Sequence, residues 1–211
     1  MKIDKIYIVH YEPLVERKKY LDDILPILTK LTNNYEYIIS SKESDYEISK
    51  NIDRYYIFNS KHTTKPLSIN EISVSISHLK IYEDIVKNNY NICLILEDDT
   101  TLTNNFVEKI TEVLKENLEE LDFIFLSTCC DIVANKQNDN YIQPFNYSKC
   151  VSGYLVTNKK LKKVLEQSKP FSTNIDNHLN IIRETIGLKF GVCEPPILIQ
   201  GSETKYKSNL R

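Results

Sequence analysis

Cys93-Leu94-Ile95-Leu96-Glu97-Asp98-Asp99 decides how this chain is read. From Ile92 to Leu96 no polar residue interrupts the apolar run. Such a run suits a strand covered on both faces, as in a parallel sheet. It leads straight into three acids. In open α/β sheets, ligands bind beyond the carboxyl ends of the strands. Clustered acids repel one another unless a cation or a hydrogen-bond network sits among them. Hard oxygen donors suit Mg²⁺ or Mn²⁺, which combine one or two carboxylates with substrate phosphate. The competing reading is a solvated acidic cap on the next helix. A cap needs one Asp, and the next helical pattern begins only near Asn104.

Working upstream, Ile3, Ile6, Ile8 and Val9 mark a first strand over residues 3–9. His10-Tyr11-Glu12-Pro13 reads as a polar loop. Leu14 to Leu31 has helical spacing, with Pro26 expected to kink or split it. Tyr35 to Ile39 is a second strand. Residues 40–66 are polar and predict irregular structure, with a short strand at Tyr55 to Phe58. Ser68 to Lys87 is a helix, opened by a capping box of Ser68 and Glu71.

Downstream, Asn104 to Leu118 carries Phe106, Ile110, Val113, Leu114 and Leu118 on one helical stripe. Phe123 to Leu126 is a buried strand, and Ala134 to Lys149 an aperiodic polar loop. Val151 to Thr157 is a strand, after which Asn158 caps a helix ending near Ser168. Ile175 to Ile186 is helical and stops at Gly187. Val192 to Ile199 is extended and broken by Pro195-Pro196. Strands and helices alternate, so the expected fold class is α/β, a mainly parallel sheet with helices on both faces. No repeat or linker divides the chain, and residues 1–211 are read as a single domain.

Composition narrows the function. The 211 residues are 41% hydrophobic and 27% charged, with net charge −2, an ordinary globular balance. A nucleic-acid grip would need a basic excess, so no nucleic-acid partner is expected. No run of about 18 apolar residues occurs, so no membrane span is expected. The first residues lack a signal-peptide pattern. The expected setting is a reducing cytoplasm, with peripheral membrane attachment and homo-oligomerisation left open. The first of four glycines is Gly153, which excludes an early dinucleotide-binding turn or Walker A loop. Richness in Ile, Asn, Lys and Tyr with a single alanine, Ala134, points to AT-rich codons of a bacterium or large virus.

Three further features are candidates. Asp176 opens a helix after Pro170, where an acid also serves the helix dipole. Ser77-His78 sits on the helix before the acidic strand. Adjacent helical residues point in different directions, so they are not a nucleophile and its base. The five cysteines, Cys93, Cys129, Cys130, Cys150 and Cys193, contain no CxxC pair and predict no zinc site.

The ordered set of these pieces resembles the family-25 glycosyltransferases, which include bacterial lipooligosaccharide and collagen galactosyltransferases. The match begins with Ile6-Tyr7-Ile8-Val9-His10 and Arg17, then Glu71 and Ser75-Ile76-Ser77-His78-Leu79-Lys80-Ile81-Tyr82. It continues through Leu94-Ile95-Leu96-Glu97-Asp98-Asp99 and Gly153-Tyr154-Leu155-Val156, then Asp176, and closes at Pro195-Pro196 and Gln200. Where the family often has glycine and cysteine, this chain has Ile72-Ser73-Val74.

The resemblance implies a nucleotide-sugar transferase domain of the GT-A type that uses Mn²⁺ (or Mg²⁺) to hold a UDP-sugar. It implies Asp99 as metal ligand, Asp98 near donor hydroxyls, and Glu97 near the ribose or the metal's water. It places His10, Tyr11 and Arg17 by the nucleotide, and Ser77 and His78 lining or supporting the donor pocket. Relatives mostly invert, which requires a general base, and Asp176 stands at that position. His178 is an alternative base or ligand, and Tyr206 and Lys207 could close over the phosphates. The expected partners are a UDP-hexose donor and a glycan, lipid-linked glycan or protein hydroxyl acceptor. Competing readings are a metal-dependent phosphoesterase and a non-catalytic, glycan-binding relative or subunit.

Overall fold

The computed structural model describes residues 1–127, 138–147 and 151–201. Cys129, Cys130, Cys150, Tyr206 and Lys207 lie outside the described residues.

The chain opens with β1 (Lys5–Tyr11), α1 (Val15–Leu28), β2 (Tyr35–Ser40), α2 (Lys42–Lys50) and α3 (Ile69–Asn88). Next come β3 (Ile92–Glu97), β4 (Thr100–Leu102), α4 (Phe106–Val113), β5 (Phe123–Phe125), β6 (Ile142–Phe145) and β7 (Gly153–Thr157). The described residues close with α5 (Leu161–Glu166), α6 (Ile175–Ile186), β8 (Phe190–Cys193) and β9 (Leu198–Gln200).

A seven-stranded sheet in the order β2-β1-β3-β7-β5-β8-β6 carries the fold, and β4 and β9 form a separate two-stranded sheet. β2, β1, β3, β5 and β8 run one way; β7 and β6 run against them. The alternation of side chains along each strand divides the core. Ile6, Ile8, Leu94, Leu96 and Leu155 pack with α1 and α4 on one face. Tyr7, Val9, Cys93, Ile95, Tyr154 and Val156 pack with α3, α5 and α6 on the other. Because both faces are covered, β1 and β3 have no polar alternation, which is why they read as continuous apolar runs.

The capping box at α3 forms as expected: Ser68 Oγ accepts from the Glu71 N–H, and Glu71 returns a bond to the Ser68 N–H at 2.8 Å. α6 ends at Gly187, whose positive φ of 66° is open to glycine at little cost.

Five expectations change. Residues 40–66 hold α2, capped by Ser41 and Ser44, because a local polar cap can start a helix that has little apolar patterning. Tyr55 to Phe58 contributes only an isolated bridge, Tyr56 to Phe171. Within residues 134–149, Ile142–Phe145 forms β6 because β8 offers a ladder to an otherwise weak strand. Asn158 opens a short 3₁₀ turn and gives no side-chain cap. Pro26 lies inside α1, which stays one helix and ends two residues later, at Leu28.

Leu94 is fully buried at the centre of the sheet. Leu94→Ala should lower the unfolding free energy by about 2–5 kcal/mol, read by chemical denaturation.

Candidate functional site

The carboxyl ends of β1, β2 and β3 meet the first turns of α1 and α3 around an open cleft. Its walls include Tyr11, Arg17, Ser40, Asp45, Asn70, Ser73, Glu97, Asp98, Asp99 and Gln200. The acidic strand end therefore faces a pocket and is not a solvated cap.

Asp98 is buried and fully engaged. Its Oδ1 accepts from Arg17 at 2.6 Å; its Oδ2 accepts from His10 Nδ1 and the Tyr11 N–H, both at 3.0 Å. Burial alone would raise the Asp98 pKa, but these donors hold it below the usual carboxylate value. Arg17 stands in the first turn of α1, where the helix dipole disfavours a cation. The Asp98 carboxylate compensates it, so the ion pair joins β1, α1 and β3. Tyr11 and Arg17 line the cleft, while His10 lies behind Asp98.

Asp99 is buried on the cleft wall, and its carbonyl accepts from the Gly201 N–H at 2.6 Å. β9 brings Gln200 beside it by pairing with Thr100. Gly153 lets this layer close: a Cβ there would stand 2.3 Å from a Leu198 methyl carbon. Glu97 Oε1 lies 3.1 Å from His78 Nε2. Ser77 donates back to the Ser73 carbonyl and does not reach the cleft. Neither Ser77 nor His78 is on the cleft wall, and His78 meets it through Glu97.

Asp176, at the start of α6, is half-buried and accepts from the Val151 N–H at 3.0 Å. Burial first, and then the charge of Glu97, push its pKa well above the ordinary carboxylate value. It is not on the cleft wall, and it is coupled to the site through the charge of Glu97. His178 does not share this environment. It is buried against Phe171, and neither ring nitrogen has a hydrogen-bond partner among the described residues.

The sequence reading missed Ser40, Asp45, Asn70, Ser73 and Gln200 as wall residues. Ser40 had a signal, since it ends a strand on the same sheet edge as Asp98. Asp45 had none once its helix was read as irregular. It accepts a bond from the Tyr11 hydroxyl, and burial first and then the Asp45 charge raise the Tyr11 pKa.

Residues 3–179 match glycosyltransferase family 25 (LPS biosynthesis protein). The chain belongs to that family. A glycosyltransferase involved in the glycosylation of the major capsid of PBCV-1 is similar in structure, with TM-score 0.56 and 11% identity over 97% of this chain and 95% of that one. The glycosyltransferase GlyE of Streptococcus pneumoniae TIGR4 gives TM-score 0.48 and 9% identity over 99% of this chain and 58% of that one. The galactosyltransferase LgtC gives TM-score 0.43 and 14% identity over 90% of this chain and 72% of that one. No curated protein matches the chain. The fold of this family-25 member is the GT-A type, and its role is glycosyl transfer. Among the described residues, no helix is long and apolar enough to cross a membrane.

Burial lowers the His178 pKa from 6.5 to about 4, with His62 adding to the shift. A group whose folded pKa is depressed binds a proton more readily when unfolded. Its effect on stability is therefore neutral above pH 6.5 and grows unfavourable as pH falls towards 4. The full shift corresponds to roughly 3 kcal/mol at most. His178→Phe should remove that slope from denaturation curves recorded between pH 7 and 4.

Proposed function

We propose that this family-25 member transfers a hexose from a UDP-sugar to a hydroxyl of a glycan, lipid-linked glycan or protein, with inversion. One observation carries the reading: the Glu97-Asp98-Asp99 strand end, with Asp98 and Asp99 buried, opens into a cleft floored by parallel strands. The leaving group of such a reaction is a nucleoside diphosphate, whose developing charge must be neutralised.

A divalent cation fits the residues present. The wall supplies carboxylates, and Asp98 is already committed to Arg17, His10 and Tyr11. Asp99 is then the side chain that would hold Mn²⁺ or Mg²⁺, with Glu97 close by. Among the described residues, no cluster of three or more His, Cys, Asp or Glu forms a cage by itself. An ion of the Mg²⁺ type takes one or two carboxylates and completes its shell with phosphate and water. The ion would supply positive charge to the diphosphate.

The chain's own groups do the rest. Arg17, held by Asp98, keeps a fixed positive charge on the nucleotide side of the cleft. Tyr11, Ser40 and Asn70 offer hydrogen bonds to the nucleoside or the sugar. Asp176 takes the acceptor hydroxyl's proton. An acceptor approaching from the β7 and α6 side would meet Asp176, with the donor on the far side of Glu97.

The test is nucleotide release from a panel of UDP-, GDP- and CMP-sugars with Mn²⁺. Release from a UDP-hexose is expected, lowered about 100-fold or more in Asp99→Ala. Asp176→Asn should keep Mn²⁺-dependent UDP binding and lose transfer to an acceptor by about 100-fold or more. Silence across the panel, with no Mn²⁺-dependent UDP binding by calorimetry, would sink the reading in favour of a glycan-binding role.

A further inference from the structure

Behind Glu97, a chain of polar groups runs through the core. Tyr82 Oη is 2.8 Å from Tyr154 Oη, and Tyr154 Oη is 2.7 Å from His78 Nδ1. His78 Nε2 is 3.1 Å from Glu97 Oε1. Tyr82, Tyr154 and His78 are fully buried, and the His78 and Tyr154 rings stack at 5.8 Å. Only Glu97, at the end of this chain, reaches the cleft.

The chemistry sets the direction of the chain. A Glu97 carboxylate can only accept, so His78 Nε2 donates to it. In the neutral ring, Nδ1 then accepts, and Tyr154 donates to it. The Tyr154 oxygen in turn accepts from Tyr82. Every donor points towards Glu97, and hydrogen bonds aligned this way strengthen one another. Packing alone does not require the arrangement. Phenylalanines and a leucine could fill the same space without three buried polar groups that need partners. The chain crosses from α3 to β7, returns to α3 at His78 and ends at Glu97 on β3, so it ties the carboxylate to two rigid elements.

We propose that His78 and Tyr154 are positioning residues for glycosyl transfer. They hold Glu97 Oε1 so that the carboxylate meets the hydroxyls of the bound sugar nucleotide in one orientation. The inference rests on the cleft being the donor site, as proposed above. His78 and Tyr154 touch no substrate and act only through Glu97.

A double-mutant cycle tests this by steady-state kinetics on the donor sugar. Tyr154→Phe removes one oxygen and keeps the ring. It should lower kcat about tenfold, as losing an outer partner of a site residue does. The donor KM should stay within about twofold, because orientation matters most in the transition state. In the Glu97→Gln background, Tyr154→Phe should add no further loss. His78→Leu should behave like Tyr154→Phe, and His78→Gln, which can place an N–H near Nε2, should recover most of the activity. Thermal unfolding of each variant separates loss of fold from loss of orientation.

Unchanged kcat in Tyr154→Phe would overturn the proposal, as would losses that multiply with Glu97→Gln. A wild-type protein that turns over a donor while the variants act independently overturns this inference alone. A wild-type protein that neither turns over nor binds any donor overturns the donor-site reading with it.

Discussion

The carboxylate of Asp98 is the constraint on which the site depends. Arg17 in the first turn of α1, His10 and the backbone of β1 all converge on it. A buried ion pair of this kind is costly to form and costlier to break, because removing one partner strands the other's charge in the interior. Its value here is geometric. It fixes the start of α1 against the end of β3 and so sets the width of the cleft.

That commitment divides labour among the three acids. Both Asp98 oxygens already accept hydrogen bonds from the protein. Glu97 is tied at one oxygen by His78, and its side chain is still 21% exposed. Asp99 stands on the wall beside Gln200. Three neighbouring carboxylates thereby occupy three different environments, which relieves the mutual repulsion that clustered acids otherwise suffer. The charge left on Glu97 is felt as far as Asp176, where it adds to the effect of burial.

Much of this was legible from residues 92–99, because a doubly covered strand leaves an unbroken apolar run and its end marks the ligand edge of the sheet. The capping box at Ser68 and the stop at Gly187 were legible for the same local reason: each is decided within four residues. α2 was not, since its stability lies in a polar cap and in packing that its own composition does not announce. β6 was hidden because Ile142-Gln143-Pro144-Phe145 becomes a strand only when β8 lies alongside. At the site, the acids could be found by type and spacing. Their separate roles could not, because the partners of Asp98 come from residues 10, 11 and 17, and those of Glu97 through residues 78 and 154. Contacts so distant along the chain leave no periodic trace.

The reversed strand β7 has a consequence for how the protein is made. It lies between β3 and β5, so Leu94 waits for Leu155 before its second edge is paired. A nascent chain that has emerged only through α4 can join β1, β2 and β3, yet it presents the apolar run of β3 as an open edge. Such an edge is a template for pairing with other chains. Since long-range pairing is also slow to form, the interval before β7 arrives is when this protein is most exposed to aggregation during synthesis.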